Sequence, residues 1–280
     1  MEIKDTKLIL SNSCTGFKGV LNIDENYKVA QSLGLKGLEL IPFKYTQPEK
    51  LLNSSEKYDI DIKGLHLPLW WETKSLSKVI QSEDNLKEKA NQILWNVIIG
   101  PGKMNCSALK ISEEFENAYL LSHSDTYHQI PNSLKENLLR ERNFFFENER
   151  AKKIYFSELR EGKDTHDPYL IKNRLLPSIK LLGLKGKLMF DPRHIQIAQN
   201  RELIPKKPLY EIWNELKPEG LHFSFYDKSK GEGHNLPVES QWKDFSYAIK
   251  QNPPEYLVIE MASVSDAEKS REIIGKDLGI

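Results

Sequence analysis

The 280-residue chain holds only two cysteines, Cys14 and Cys106. Two thiols make neither a disulfide framework nor a four-thiolate zinc site, and they suit a reducing compartment. No charge of either sign is in excess, because 40 Lys+Arg offset 40 Asp+Glu. That balance removes the broad basic field of a nonspecific nucleic-acid binder, although a local basic groove stays open. Long hydrophobic runs are missing too, and nothing approaches the roughly 18 apolar residues of a membrane span. The N-terminus carries Glu2 and Asp5 where a signal peptide wants bases, and Leu8–Leu10 is too short for a signal's apolar region. A cytoplasmic protein with no membrane association is expected. With no internal repeat, low-complexity tract or linker, residues 1–280 are expected to form one domain.

What the chain does have is 39% hydrophobic and 10% aromatic residues spread from end to end, enough to bury a core. Short apolar runs predict strands at Lys7–Leu10, Gly37–Ile41, Ile62–Leu67, Ala118–His123, Ile154–Glu158, Lys187–Asp191, Gly220–Ser224 and Tyr256–Glu260. Amphipathic stretches between them predict helices. Glu25–Leu33 stops at Gly34, and Pro48 opens a helix towards Tyr58. Ser82 precedes another helix, and Ser133–Ala151 is long, charged and helical in spacing. Asp167-Pro168 begins a helix that ends before Gly183; Leu209–Leu216, Gln241–Lys250 and Asp266–Leu278 follow, the last with a capping box from Ser265 to Glu268. Gly100–Ser112 fits no element. Eight strand–helix alternations predict parallel βαβ units, and eight closes a single (β/α)8 TIM barrel. No Gly-x-Gly-x-x-Gly turn follows the first strand to favour a dinucleotide fold.

Residues at the C-terminal ends of barrel strands converge on one face. From the third predicted strand onward these are His66, His123, Glu158, Asp191, His222 and Glu260. Glu39 lies nearer mid-strand, where it either meets a substrate hydroxyl or pairs with a neighbouring lysine. Charged side chains in a barrel mouth are costly unless paired, hydrated or bound to metal. Imidazoles and carboxylates around one axis suit a divalent metal such as Mn, Zn, Co or Mg.

Asp191-Pro192-Arg193-His194 forms a D-x-x-H at the end of the sixth predicted strand. His222 ends the seventh and is followed by Gly233-His234-Asn235-Leu236-Pro237-Val238, while Glu158 and Glu260 end the fifth and eighth. In this order the residues resemble the xylose isomerase-like TIM-barrel superfamily, which includes sugar isomerases and epimerases and endonuclease IV-type enzymes. In the isomerase branch, the resemblance implies one divalent metal held by Glu158, Asp191, His222 and Glu260. Glu158 and Glu260 would then be the catalytic pair that moves protons between neighbouring carbons of a sugar, an inositol-like polyol or a related hydroxy-ketone. In the endonuclease IV branch it implies up to three metals and phosphodiester hydrolysis on DNA. His66, His123 and Glu158 would hold the first, with Glu158 bridging to Asp191, His222 and Glu260; His194 and His234, with Glu232, would hold the third. That branch carries Asp where this chain has Glu232.

Other residues are candidates for substrate. Trp70 and Trp71 follow the third predicted strand and offer an apolar wall to a sugar ring or a base. Arg160 and Arg193 adjoin proposed ligands and can bind an anionic or sugar oxygen, or pair with a ligand carboxylate. His194 and His234 are substrate contacts in the one-metal case. His128 and His166 lie past the fourth and fifth predicted strands, and Lys228–Gly231 is read as a solvated loop. The expected activity is therefore that of a metal-dependent isomerase or epimerase on a small sugar-like substrate, with an endonuclease IV-like hydrolase as the alternative. A homo-oligomer is compatible with either.

Overall fold

The computed structural model describes residues 1–15, 19, 22–41, 46–66, 111–123, 143–147, 168–170, 172–173, 176–181, 185–202, 204–229 and 231–280. The barrel strands are β1 (Lys7–Ser11), β2 (Gly37–Leu40), β3 (Asp61–His66), β4 (Tyr119–His123), β5 (Asn143–Glu147), β6 (Lys185–Phe190), β7 (Gly220–Phe223) and β10 (Tyr256–Ile259). They close into a ring in the order β1-β2-β3-β4-β5-β6-β7-β10, and every neighbouring pair is parallel. A short antiparallel hairpin, β8 (Phe225–Asp227) with β9 (Gly231–Asn235), stands on the loop after β7.

The helices are α1 (Asp24–Ser32), α2 (Pro48–Tyr58), α3 (Pro168–Leu170), α4 (Leu176–Leu181), α5 (Pro192–Asn200), α6 (Leu209–Leu216), α7 (Glu239–Gln251) and α8 (Val264–Leu278). Pro48 and Pro192 occupy first-turn positions, where a missing N–H costs nothing. Gly34, just beyond α1, takes φ of +67°, a left-handed conformation in which glycine carries no Cβ penalty. Among the described residues no helix is long and apolar enough to cross a membrane.

The two-residue period of the strands divides the core in two. In β10, Tyr256 and Val258 join Ile9, Tyr119, Leu121, Phe145 and Met189 in a cluster inside the ring. Leu257 and Ile259 turn outward to the helices. Gly64 makes room for this interior, since a Cβ there would sit 2.3 Å from the Tyr119 ring. Outside, Phe190, Trp213, Phe223, Phe225, Trp242 and Phe245 pack edge to face between the strands and α6 and α7.

Several sequence expectations need correction. The barrel strand between β4 and β6 is Asn143–Glu147, which replaces part of the helix expected over Ser133–Ala151, and the strand expected at Ile154–Glu158 lies outside the described residues. Phe144-Phe145-Phe146 is a strand-forming run inside a charged stretch whose spacing imitates a helix; pairing with β4 and β6 decides the matter. The helix expected from Asp167-Pro168 to Gly183 is helical at every described residue between 168 and 181, including α3 and α4. The cap of α8 is Ser263, whose hydroxyl accepts from the Asp266 N–H, so the expected box at Ser265 does not form. The segment expected to fit no element ends in a helical turn over 111–114, and in the expected loop Lys228 and Ser229 form a turn after β8 while Gly231 opens β9.

Candidate metal centre at the barrel mouth

Four neighbouring strands build one side of the mouth. β5 ends at Glu147, which pairs in register with His123 of β4 and Met189 of β6. Asp191 follows β6, His222 lies in β7, and Glu260 follows β10. Two-residue alternation carries Asp191 beyond Met189 and Glu260 beyond Val258, both from the inner cluster, so these carboxylates face the barrel axis. Asp191, His222 and Glu260 are buried, and each offers one donor atom within 4.8 Å of the others.

Asp191 also caps α5. Its Oδ1 accepts from the backbone N–H of Arg193 at 2.7 Å and of His194 at 3.3 Å, satisfying donors that a helix start leaves over. Its Oδ2 faces His194 Nε2 at 3.3 Å. The D-x-x-H motif thus has a local cause: the helix that Asp191 starts returns His194 to the same carboxylate one turn later.

His222 stands between two carboxylates. Its Nδ1 is 3.2 Å from Glu260 Oε2, and its Nε2 is 3.2 Å from Glu39. Glu39, fully buried on β2, also accepts a 2.5 Å hydrogen bond from the Tyr119 hydroxyl and lies 4.0 Å from His66 Nδ1. It therefore pairs with imidazoles and a phenol, not with the lysine weighed from the sequence. His234, on β9, places Nδ1 3.0 Å from the Ser224 hydroxyl and 3.8 Å from Glu260 Oε2.

Electrostatics follow this geometry. Burial pushes the Glu260 carboxyl up, but the charges of His234, His222 and Arg193 and the His222 hydrogen bond outweigh it. Glu260 is held well below the usual carboxylate range. Burial likewise raises Glu39, while the charge and hydrogen bond of His222, the His66 charge and the Tyr119 hydroxyl bring it below its ordinary value. Both carboxylates are anionic near neutrality. Two anionic oxygens and one imidazole nitrogen, buried and converging, form a donor set that fits a divalent ion of the Mn, Zn, Co or Mg kind.

Of the residues singled out in the sequence, Asp191, His222 and Glu260 come together, with His194 and His234 against the outer two. His66 reaches the cluster through Glu39. Arg193 comes within electrostatic reach of Glu260 and hydrogen-bonds His194 at 3.3 Å. His123 occupies the last position of β4. Glu158, Arg160, Trp70, Trp71, His128 and His166 lie outside the described residues. The strand-end position expected for Glu158 belongs to Glu147, which the sequence reading missed; the signal was a triple-phenylalanine run ending in an acid. Tyr119 and Ser224 were missed as well, because neither carries a motif.

No protein-family model and no curated protein matches the chain. Solved structures do match over nearly its whole length. One is a sugar phosphate isomerase/epimerase from Parabacteroides distasonis, with 12% identity, 96% of this chain and 93% of that chain covered, and a TM-score of 0.52. Another is an AP endonuclease, family 2, from Brucella melitensis, with 10% identity, 97% and 99% covered, and a TM-score of 0.55. The likeness is one of fold, and it agrees with the xylose isomerase-like barrel that the sequence resembles.

Proposed function

We propose that the protein is a divalent-metal-dependent isomerase or epimerase acting on a sugar, an inositol-like polyol or a related hydroxy-ketone. The observation that carries this is the order around the ring: the converging donors Asp191, His222 and Glu260 come from consecutive neighbours β6, β7 and β10, and the next strand, β5, ends at Glu147. Asp191 and His222 occupy the middle, and a glutamate comes from the strand on each side. Proton transfer between adjacent carbons needs this distribution, a carboxylate on either side of a bound hydroxy-ketone.

Asp191, His222 and Glu260 would hold the metal, with Glu147 as a fourth ligand in the role first assigned to Glu158. When bound, the metal polarises the substrate carbonyl and acidifies the neighbouring C–H. Glu260, anionic for the reasons given, accepts a proton as base; Glu147 is the partner that delivers or receives the other. His194, His234 and Arg193 at the rim bind substrate oxygens and orient the reacting carbons between the two glutamates.

A second candidate, a phosphodiester hydrolase of the endonuclease IV kind, is favoured by one specific observation. Each outer carboxylate of the triad has a further imidazole beside it, His194 by Asp191 and His234 by Glu260, so each could bridge two metals.

Metal content of protein purified without chelators separates them, together with deuterium uptake from solvent into ketoses and inosose-type ketones. About one metal per chain, deuterium uptake, and loss of turnover in Glu260→Gln and Glu147→Gln but not in Glu158→Gln are expected. Close to three metals, no exchange and cleavage of abasic-site DNA would establish the hydrolase instead.

A further inference from the structure

We infer that Glu39 is a positioning residue for the metal centre: it fixes the His222 imidazole so that Nδ1 is presented to the ion beside Asp191 and Glu260. The inference rests on the proposed metal site, and it concerns a residue that supplies none of that site's donors.

The observations are geometric. His222 is wholly buried on β7 and meets a carboxylate through each ring nitrogen, Glu260 through Nδ1 and Glu39 through Nε2, both at 3.2 Å. Only Nδ1 faces the carboxylate that belongs to the triad. An imidazole that binds a metal through one nitrogen carries its proton on the other, and a carboxylate accepting that proton fixes both tautomer and ring orientation. Glu39 stands where that acceptor must be. Desolvating a carboxylate completely is costly unless something recovers the energy, and here the recovery is specific. The Tyr119 hydroxyl donates to Oε2 at 2.5 Å, and the His222 Nε2 contact lies on the same carboxylate. Tyr119 is itself anchored in the inner core, 4.8 Å from Phe145 and 4.7 Å from Tyr256 between ring centroids. A chain of contacts therefore runs from the packed interior of the barrel through Tyr119 and Glu39 to the ring of His222.

Calorimetric titration of Mn²⁺ and Zn²⁺ into metal-free protein tests this without any substrate. Wild type should bind, and Asp191→Asn should lose binding. Glu39→Gln should bind with affinity lowered about 10–100-fold, since it keeps the shape of the contact and removes the charge that holds the proton on Nε2. Wild-type affinity in Glu39→Gln, with loss in Asp191→Asn, would overturn the positioning role while leaving the metal site standing. Complete loss in Glu39→Gln, with a wild-type circular dichroism spectrum, would make Glu39 a ligand and overturn it also. No binding by wild type would remove the metal site and this inference with it. Should Glu39→Gln fail to fold, Tyr119→Phe carries the test: a severalfold loss of affinity supports the inference, and unchanged affinity overturns it.

Discussion

Asp191 joins two functions on one carboxyl group, and they can be separated. Oδ1 caps α5 by accepting two backbone N–H groups, while the group as a whole supplies an anionic donor to the triad. Asn caps helices about as well as Asp, whereas Ala does not cap them at all. Asp191→Asn should therefore keep near-wild-type stability in urea yet lose metal affinity. Asp191→Ala should lose that affinity and also about 1 kcal/mol of stability. Equal destabilisation in both variants would show that charge, not capping, holds the start of α5.

Two carboxylates and a thiol give opposite pH behaviour. The folded pKa of Glu260 and Glu39 is depressed, so in metal-free protein their contribution to stability is present above the ordinary carboxylate pKa and is lost as pH falls through the folded value. Acid unfolding of the metal-free protein should shift to lower slope in Glu260→Gln, as followed by tryptophan fluorescence. Cys14 runs the other way. Burial pushes its thiol up to about 12, against a weaker opposing hydrogen bond to backbone. It should resist iodoacetamide at pH 8 in the native protein and label rapidly once unfolded, a difference read by peptide mass spectrometry.

At the scale of elements, what the sequence made legible depended on how each segment is buried. β1, β7 and β10 are short and largely buried, as crossover-connected parallel strands tend to be, and their positions were readable to within a residue. β5 was not, because its phenylalanines sit among charged residues at helix-like spacing and only its neighbours β4 and β6 reveal the pairing. Asp191, His222 and Glu260 stand at or next to the strand ends expected of them, the fifth barrel strand ends at Glu147, and Glu158 lies outside the described residues. Glu39 was visible as a residue but not as a partner of His222, because 183 positions separate them in sequence. The hairpin that brings in His234 had no alternation long enough to register. Interior packing adds a further expectation at this scale. Gly64→Ala should cost about 1–3 kcal/mol in urea unfolding, because the new methyl would press on an aromatic ring that cannot move without releasing Glu39. Gly220→Ala meets first the flexible end of Met189, with the Phe145 ring farther off at 3.0 Å, and should cost less.

For the whole molecule, metal and fold are linked through mass action. An ion that binds only the folded barrel stabilises it by about 2.7 kcal/mol at a concentration of 100 Kd. Added Mn²⁺ or Zn²⁺ should raise the Tm of wild type in a concentration-dependent way, chelation should reverse the rise, and Asp191→Asn should show neither. A Tm indifferent to metal in wild type would contradict the proposed centre.

The ring is sealed by its first and last strands, with Lys7 beside Tyr256 and Leu10 beside Ile259. Closure is thus the most non-local pairing among the described strands, and such contacts form slowly because the intervening loop must be ordered first. During synthesis, β1 has to wait, one edge unpaired, until residues 256–259 emerge from the ribosome. Glu260 follows directly after them. A nascent chain stopped before β10 would carry Asp191 and His222 yet have neither a closed wall nor Glu260, so competence is reached only after β10 has been made.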